Sequence, residues 1–294
     1  MSSPATTDAP PVVVAGGAGA VGTMLVELLR ADGRRVVVLD SRSGDDIRRP
    51  RPDAVSRLRE AEVVVLAVPE DVALAVVESL PPLMNPSALL VETLSVKTRF
   101  ADCVAHLSDE LAWDGPIVGI NPMFAPSLRL PGRTVAAVVH RSGRAADLLL
   151  DDLRRWGARV QIVSADHHDR SCAAVQALTH ATILSFGCAL ADLGIDPDGA
   201  AALATPVFTT MSALLARVSG GTPEVYRDVQ VSNPYARAAR EALSRAISRE
   251  SAASRAETGV AGFADLLDHA GLSLGDHAED QARLCAHLFE GLAS

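Results

Sequence analysis

The sequence lacks several features that would have decided its class at once. It has four cysteines, Cys103, Cys172, Cys188 and Cys285, and no pair has CxxC spacing. That excludes the usual zinc and redox-pair patterns and leaves reduced thiols, which predicts a cytoplasmic protein. Aromatic residues make up only 3% of the 294, and the net charge of −9 leaves no basic surplus. A nucleic-acid partner is therefore not expected. The first eleven residues carry neither a basic start nor an apolar stretch, so no signal peptide is predicted. No apolar run is expected to approach the roughly 20 residues that span a bilayer, so no membrane partner is expected either.

What is present is a clear alternation. Short β-branched runs fall at residues 12–15, 35–40, 62–68, 88–92, 116–120, 134–140 and 159–163. Most are apolar throughout, as strands buried on both faces of a parallel sheet must be. Amphipathic stretches such as 21–31 and 147–156 lie between them. The pattern predicts a doubly wound α/β Rossmann domain over residues 1–164, with the first ten unstructured. After Ser164 strand-like runs stop, and 165–294 reads as all-helical. Asp166 is the expected N-cap there, followed by one long helix at 171–193, poor in charge and rich in small residues. Further helices are predicted at 199–218, 224–230, 234–252, 262–269 and 276–292.

The motif with the most chemistry is Gly17-Ala18-Gly19-Ala20-Val21-Gly22. A lone GxGxxG says little, but this one leaves a strand and opens a helix, the context in which it cradles a pyrophosphate. Gly17 is expected to make the tight turn, Gly19 to let the backbone approach the phosphates, and Gly22 to let helix and strand pack. Ala20 and Val21 begin the helix whose free N–H groups would face the anion. Asp40 ends the second strand, where a carboxylate can accept from ribose hydroxyls and repel a 2′-phosphate. NAD is thus the expected cofactor, with Arg42 positioned to soften the preference. The alternative is a Gly-rich turn with no nucleotide. Val68 and Pro69 end the third strand and would lie under the nicotinamide side, or simply stop the strand.

The chain also resembles the prephenate dehydrogenases. The resemblance rests on AEVVVLAVPEDVALAVVESL at 61–80, LVETLSVK at 90–97, GINPMFAP at 119–126, WGARVQIVSADHHD at 156–169, QALTH at 176–180, and residues 203–223. It covers all but the first ten or so residues. It implies a Rossmann domain followed by a helical domain that builds a homodimer, and a dicarboxylate cyclohexadiene substrate. NAD would take hydride from the ring carbon, carbon dioxide would leave, and the ring would become aromatic.

The resemblance further implies site residues, each with a bland alternative. Ser95 matches the family's pocket serine, or caps a helix. Lys97 has less support and fits a surface residue. Gln176 and His180 lie four residues apart on one helical face. His180 matches a histidine that contacts a substrate carboxylate, or is a core histidine. Arg217 matches a substrate-binding arginine, whose planar fork suits a carboxylate, or complements a helix dipole. His167, His168 and Asp169 read as helix-start capping.

The departure lies at Asn121. The family's catalytic histidine stands at that position, in a His-Pro-Met-Phe-type segment. An amide cannot act as a base near neutral pH, and a general base contributes typically about 10²–10⁴-fold. Three readings compete. The 4-substituent is an amine that supplies its own electron push, as for enzymes acting on 4-amino-4-deoxyprephenate. Prephenate or arogenate is still oxidised, slowly or with another base. Or catalysis is lost and NAD binding remains for regulation. Thr209, where the family often has arginine, also points to an altered pocket.

Overall fold

The computed structural model describes residues 9–110 and 113–292. The expectation of an unstructured N-terminus falls, for residues 1–8, outside the described residues. The chain divides into two compact units, Met1–Ser171 and Cys172–Ser294.

The first unit runs β1 (Val12–Ala15), α1 (Ala20–Ala31), β2 (Val36–Leu39), α2 (Pro52–Glu60), β3 (Val63–Leu66), α3 (Glu70–Val76), β4 (Leu89–Glu92), α4 (Thr98–Glu110), β5 (Ile117–Pro122), β6 (Thr134–Arg141), α5 (Arg144–Arg155), β7 (Arg159–Ile162) and α6 (Ala165–Cys172). All seven predicted strands are present, in one sheet of order β2-β1-β3-β4-β5-β6-β7. Successive residues of β1 serve opposite cores. Val13 and Ala15 pack toward α2, α3 and α4, among Leu58, Ala73, Val76 and Phe100. Val12 and Val14 pack toward α1 and α5, among Leu25, Leu29, Leu150 and Leu153. A strand covered on both sides has no polar face to keep, which is why it reads as unbroken valine.

The sheet is not wholly parallel, as the strand pattern suggested. Strands β1 to β5 are mutually parallel, β6 pairs antiparallel with β5, and β7 is parallel to β6. The cause is the β5–β6 connection, which holds Pro126, Pro131 and Gly132 and no helix. A parallel return needs a long crossover, usually helical, so the chain turns back on itself instead. The order β2-β1-β3 places a topological switch point at β1 and β3. Ligands of such sheets bind beyond the carboxyl ends of the strands there.

Helix α6 begins at Ala165, with Ser164 Oγ accepting from the His167 N–H at 3.2 Å. Ser164, not Asp166, therefore caps it. The helix continues through a π-helical turn, Ala173–Leu178, into α7 (Thr179–Asp192). Ala165–Asp192 is, by length and composition, long and apolar enough to cross a membrane. This corrects the expectation that no run approaches that length. Small residues and sparse charge between the two ends raise the hydropathy of the whole segment.

Within the second unit follow α8 (Pro197–Ala202), α9 (Pro206–Ser219), α10 (Pro223–Val231), α11 (Ala236–Ala253), α12 (Gly259–Gly271) and α13 (Ala278–Glu290). The helix predicted at 199–218 is two, because Thr205 accepts from Phe208 N at 3.2 Å and Pro206 opens a new first turn. Gly187 lets α7 and α9 close up; a Cβ there would stand 2.6 Å from a Leu215 methyl.

Candidate active site

Strands β1 to β5 run in one direction, so their carboxyl ends share one edge of the sheet. That edge carries the Gly loop after β1, Asp40 after β2, Val68 and Pro69 after β3, Ser95 after β4 and Asn121 in β5. The tight turn of the loop falls on Gly16, with φ +77°, one residue before the position expected. A Cβ at Gly16 would lie 2.1 Å from the Ala67 carbonyl oxygen. Gly17 serves close approach instead: a Cβ there would meet a Val38 methyl at 2.7 Å. At Gly22 it would meet the Gly16 oxygen at 2.2 Å, which is the helix–strand packing expected of the last glycine. Gly19 precedes the helix as its N-cap, and Ala20 and Val21 open the first turn. Asp40 Oδ2 accepts from Ala18 N at 3.0 Å, and Oδ1 accepts from Arg42 N at 3.0 Å. The carboxylate therefore already faces the loop. The Arg42 guanidinium lies on the Ala18 carbonyl at 3.4 Å. Pro69 precedes α3, and Val68 is half-buried.

Asn121 is buried, and its Nδ2 lies 3.1 Å from His168 Nε2. The other ring nitrogen of His168 lies 2.7 Å from Asp169 Oδ1. Asp169 also accepts from Lys97 N at 2.8 Å, Thr98 N at 2.8 Å and Thr98 Oγ1 at 2.7 Å. His168 and Asp169 thus correct the capping assignment. The carboxylate caps α4, not its own helix, and the imidazole reaches the amide in β5. His167 alone stays at the surface. Burial raises the Asp169 pKa, but the bonds from His168, Thr98 and Lys97 outweigh it and hold the carboxyl below its ordinary value.

Lys97 is the chain's only lysine and is 0% exposed, against the surface position expected of it. Its ammonium donates to both oxygens of Glu92, at 2.9 and 2.7 Å, and to the Ile120 carbonyl at 3.0 Å. His140 Nε2 lies 3.2 Å from Glu92 Oε1. Burial raises the Glu92 pKa, yet Lys97 and His140 hold the carboxyl below its usual range. Gly119 makes the room: a Cβ would stand 1.9 Å from Glu92 Oε1. This buried trio braces the backbone beside Asn121. Ser95 is half-buried in the β4–α4 loop, two residues before Lys97.

In the second unit, Gln176 lies in the π-helical turn and His180 one turn later. The turn frees the Ala177 carbonyl, which accepts from Gln230 Nε2 at 2.8 Å. Gln176 Oε1 and His180 Nδ1 are buried without a hydrogen-bond partner, a state that usually marks a missing ligand or water. The His180 ring stands edge-on to Tyr226, centroids 4.8 Å apart. Burial, with the Arg217 charge nearby, pushes its pKa below the ordinary value, so the ring is neutral near pH 7. Arg217 is exposed in the last turn of α9, and Thr209 is exposed in its first. Gln176, His180 and Arg217 thus offer acceptor, imidazole and cation within one helical unit.

The family described as "Prephenate dehydrogenase, dimerization domain" matches residues 164–256. A 4-amino-4-deoxyprephenate dehydrogenase of Streptomyces pristinaespiralis is 46% identical over 95% of this chain and 96% of its own length. The chain belongs to the prephenate dehydrogenase family. The T-protein of Enterobacter agglomerans is 31% identical over 76% of this chain and 57% of that protein. Among solved structures, the prephenate dehydrogenase of A. aeolicus, in complex with hydroxyphenyl propionate and NAD+, superposes with a TM-score of 0.64 at 17% identity. It covers 92% of this chain and 100% of that one, a likeness of fold.

For this family member the sequence reading missed the Glu92–Lys97–His140 trio, the His168–Asn121 contact and Tyr226 beside His180. One signal was available: Glu92 closes an otherwise apolar strand, and the chain's lone lysine follows five residues later, just before the next helix.

Proposed function

We propose that this family member is an NAD-dependent dehydrogenase that converts 4-amino-4-deoxyprephenate to 4-aminophenylpyruvate with loss of carbon dioxide. The observation that carries the reading is the amide of Asn121 at the carboxyl edge of the sheet, where the resemblance expects a basic histidine. The relative of this name, at 46% identity over nearly full length, supports it.

The donor set fits NAD. Glycines 16, 17, 19 and 22 keep the loop tight against the start of α1, and Asp40 offers a carboxylate for ribose hydroxyls. Val68 and Pro69 would line the nicotinamide side. NAD, when bound, accepts the hydride. The chain's residues have the remaining work. Ser95 and Asn121 orient the 4-substituent, with the amide oxygen accepting from N–H. The nitrogen lone pair forms C=N as the C–H bond breaks. That charge is cancelled when the quaternary carbon's carboxylate leaves as carbon dioxide and its electron pair returns to the ring. The product is a neutral aromatic amine, and Asn121 never has to take up a proton. Gln176, His180 and Arg217 would bind the carboxylates, with Arg217 supplying the fork geometry.

The second unit is proposed to pair with a second copy, given the dimerization-domain match and its many exposed apolar side chains. The cytoplasm is the proposed compartment, consistent with four free cysteines.

The test is NADH absorbance with each substrate. Turnover of the amino compound well above that of prephenate is expected. The reverse ranking overturns the reading, and NADH from neither compound would leave only a nucleotide-binding protein. In Asn121→His, prephenate turnover should rise at least about tenfold, the low end of a general base's contribution, while amine turnover falls.

A further inference from the structure

We propose that His168 is a positioning residue that fixes which end of the Asn121 amide meets the substrate. The inference rests on the reading that Asn121 faces the 4-substituent. A primary amide has two orientations of almost identical shape, oxygen forward or nitrogen forward. Only the first accepts from a substrate N–H; the second sets donor against donor.

The structure selects between them by a chain of forced hydrogen bonds. Asp169 Oδ1 is 2.7 Å from His168 Nδ1, and a carboxylate only accepts, so Nδ1 carries the proton. In the neutral ring Nε2 is then an acceptor alone. The amide atom 3.1 Å from it must donate, so it is Nδ2. The amide oxygen is left pointing away from His168, and it makes no hydrogen bond among the described residues. Asp169 cannot swing to release the ring. Lys97 N, Thr98 N and Thr98 Oγ1 hold its two oxygens at 2.7–2.8 Å, at the positive end of α4. His168 and Asp169 are buried, at 2% and 0% exposed, so water does not replace either bond.

The experiment uses the full chain with NAD and the amino substrate. His168→Leu should lower kcat about tenfold, one hydrogen bond's worth, with KM for NAD within about twofold. His168→Gln keeps an acceptor and should restore kcat to within about threefold of wild type. Equal losses in both variants, at matched thermal stability, overturn the proposal. A measurement on the wild type needs no variant to fold: nitrogen-15 NMR of His168 should show the Nδ1–H tautomer, and the Nε2–H tautomer overturns the proposal. Should prephenate prove the better substrate, the substrate reading fails while the tautomer and the leucine–glutamine comparison, run on prephenate, still decide the role of His168.

Discussion

The two units solve the burial problem in opposite ways. The first surrounds its sheet with helices on both faces, and among the described residues only Leu128, Leu148 and Ile162 of its large apolar side chains are exposed. Among its described residues the second has one small buried cluster, Ala177, Val229 and Ala236. It leaves Leu193, Leu203, Val260 and Leu272 at 70–87% exposed. At roughly 25 cal/mol per Å² of apolar surface, such exposure is costly for an isolated chain and is relieved by a second surface. A sheet can complete its own core because every strand has two faces to offer. A set of helices rich in Ala and Gly packs closely but presents broad apolar stripes that only more helix can cover.

The largest expected effect attacks closure in the first unit. Lys97→Met leaves Glu92 buried without its counter-charge and should cost about 3–5 kcal/mol by urea unfolding. The pH dependence has a definite sign. The Glu92 carboxyl is held below its ordinary value in the folded chain. Its contribution is therefore complete above the unfolded value of about 4.3 and is lost as pH falls through the folded value. Acid unfolding of Lys97→Met should begin at higher pH than in wild type. An unchanged urea midpoint would show that the trio does not hold this core together.

The next effect attacks the open unit. Leu267 is 62% exposed on α12, where the proposed pairing with a second copy would cover it. Leu267→Asp should weaken self-association about a hundredfold by sedimentation, near 2.7 kcal/mol, with little change in the urea midpoint of the first unit. A monomeric wild type, or an unaffected variant, would remove that face from the interface.

The smallest effect separates binding from stability. Arg217→Lys keeps the charge but loses the fork, so KM for the dicarboxylate should rise about tenfold with no change in thermal stability. Arg217 is exposed, and among the described residues its side chain makes no hydrogen bond or ion pair. A fall in stability with unchanged KM would give it a structural role instead.

Legibility followed the same division. Strands β1, β3 and β4 were readable because burial on both faces leaves runs of valine and leucine, whereas β7, mostly exposed, was readable only from its β-branched Val160 and Ile162. The β6 direction was not, since a strand's sequence does not state which way its neighbour runs. The glycine motif was visible, but Gly16 gained its role only from the Ala67 carbonyl that closes on it. The break at Thr205-Pro206 was missed because an Ala-rich stretch carries the helical pattern straight through a cap and a proline.

The residue order alone determined the Rossmann pattern, the Gly loop with Asp40, and an amide at position 121, where the resemblance implies a histidine. These are local, or are read from a residue's own chemistry. Only the tertiary structure decided what surrounds that amide. His168 meets Asn121 across 47 residues of chain, and Asp169 meets Lys97 across 72. A hydrogen bond between distant segments leaves no periodicity in either of them, so the tautomer it enforces becomes visible only after folding.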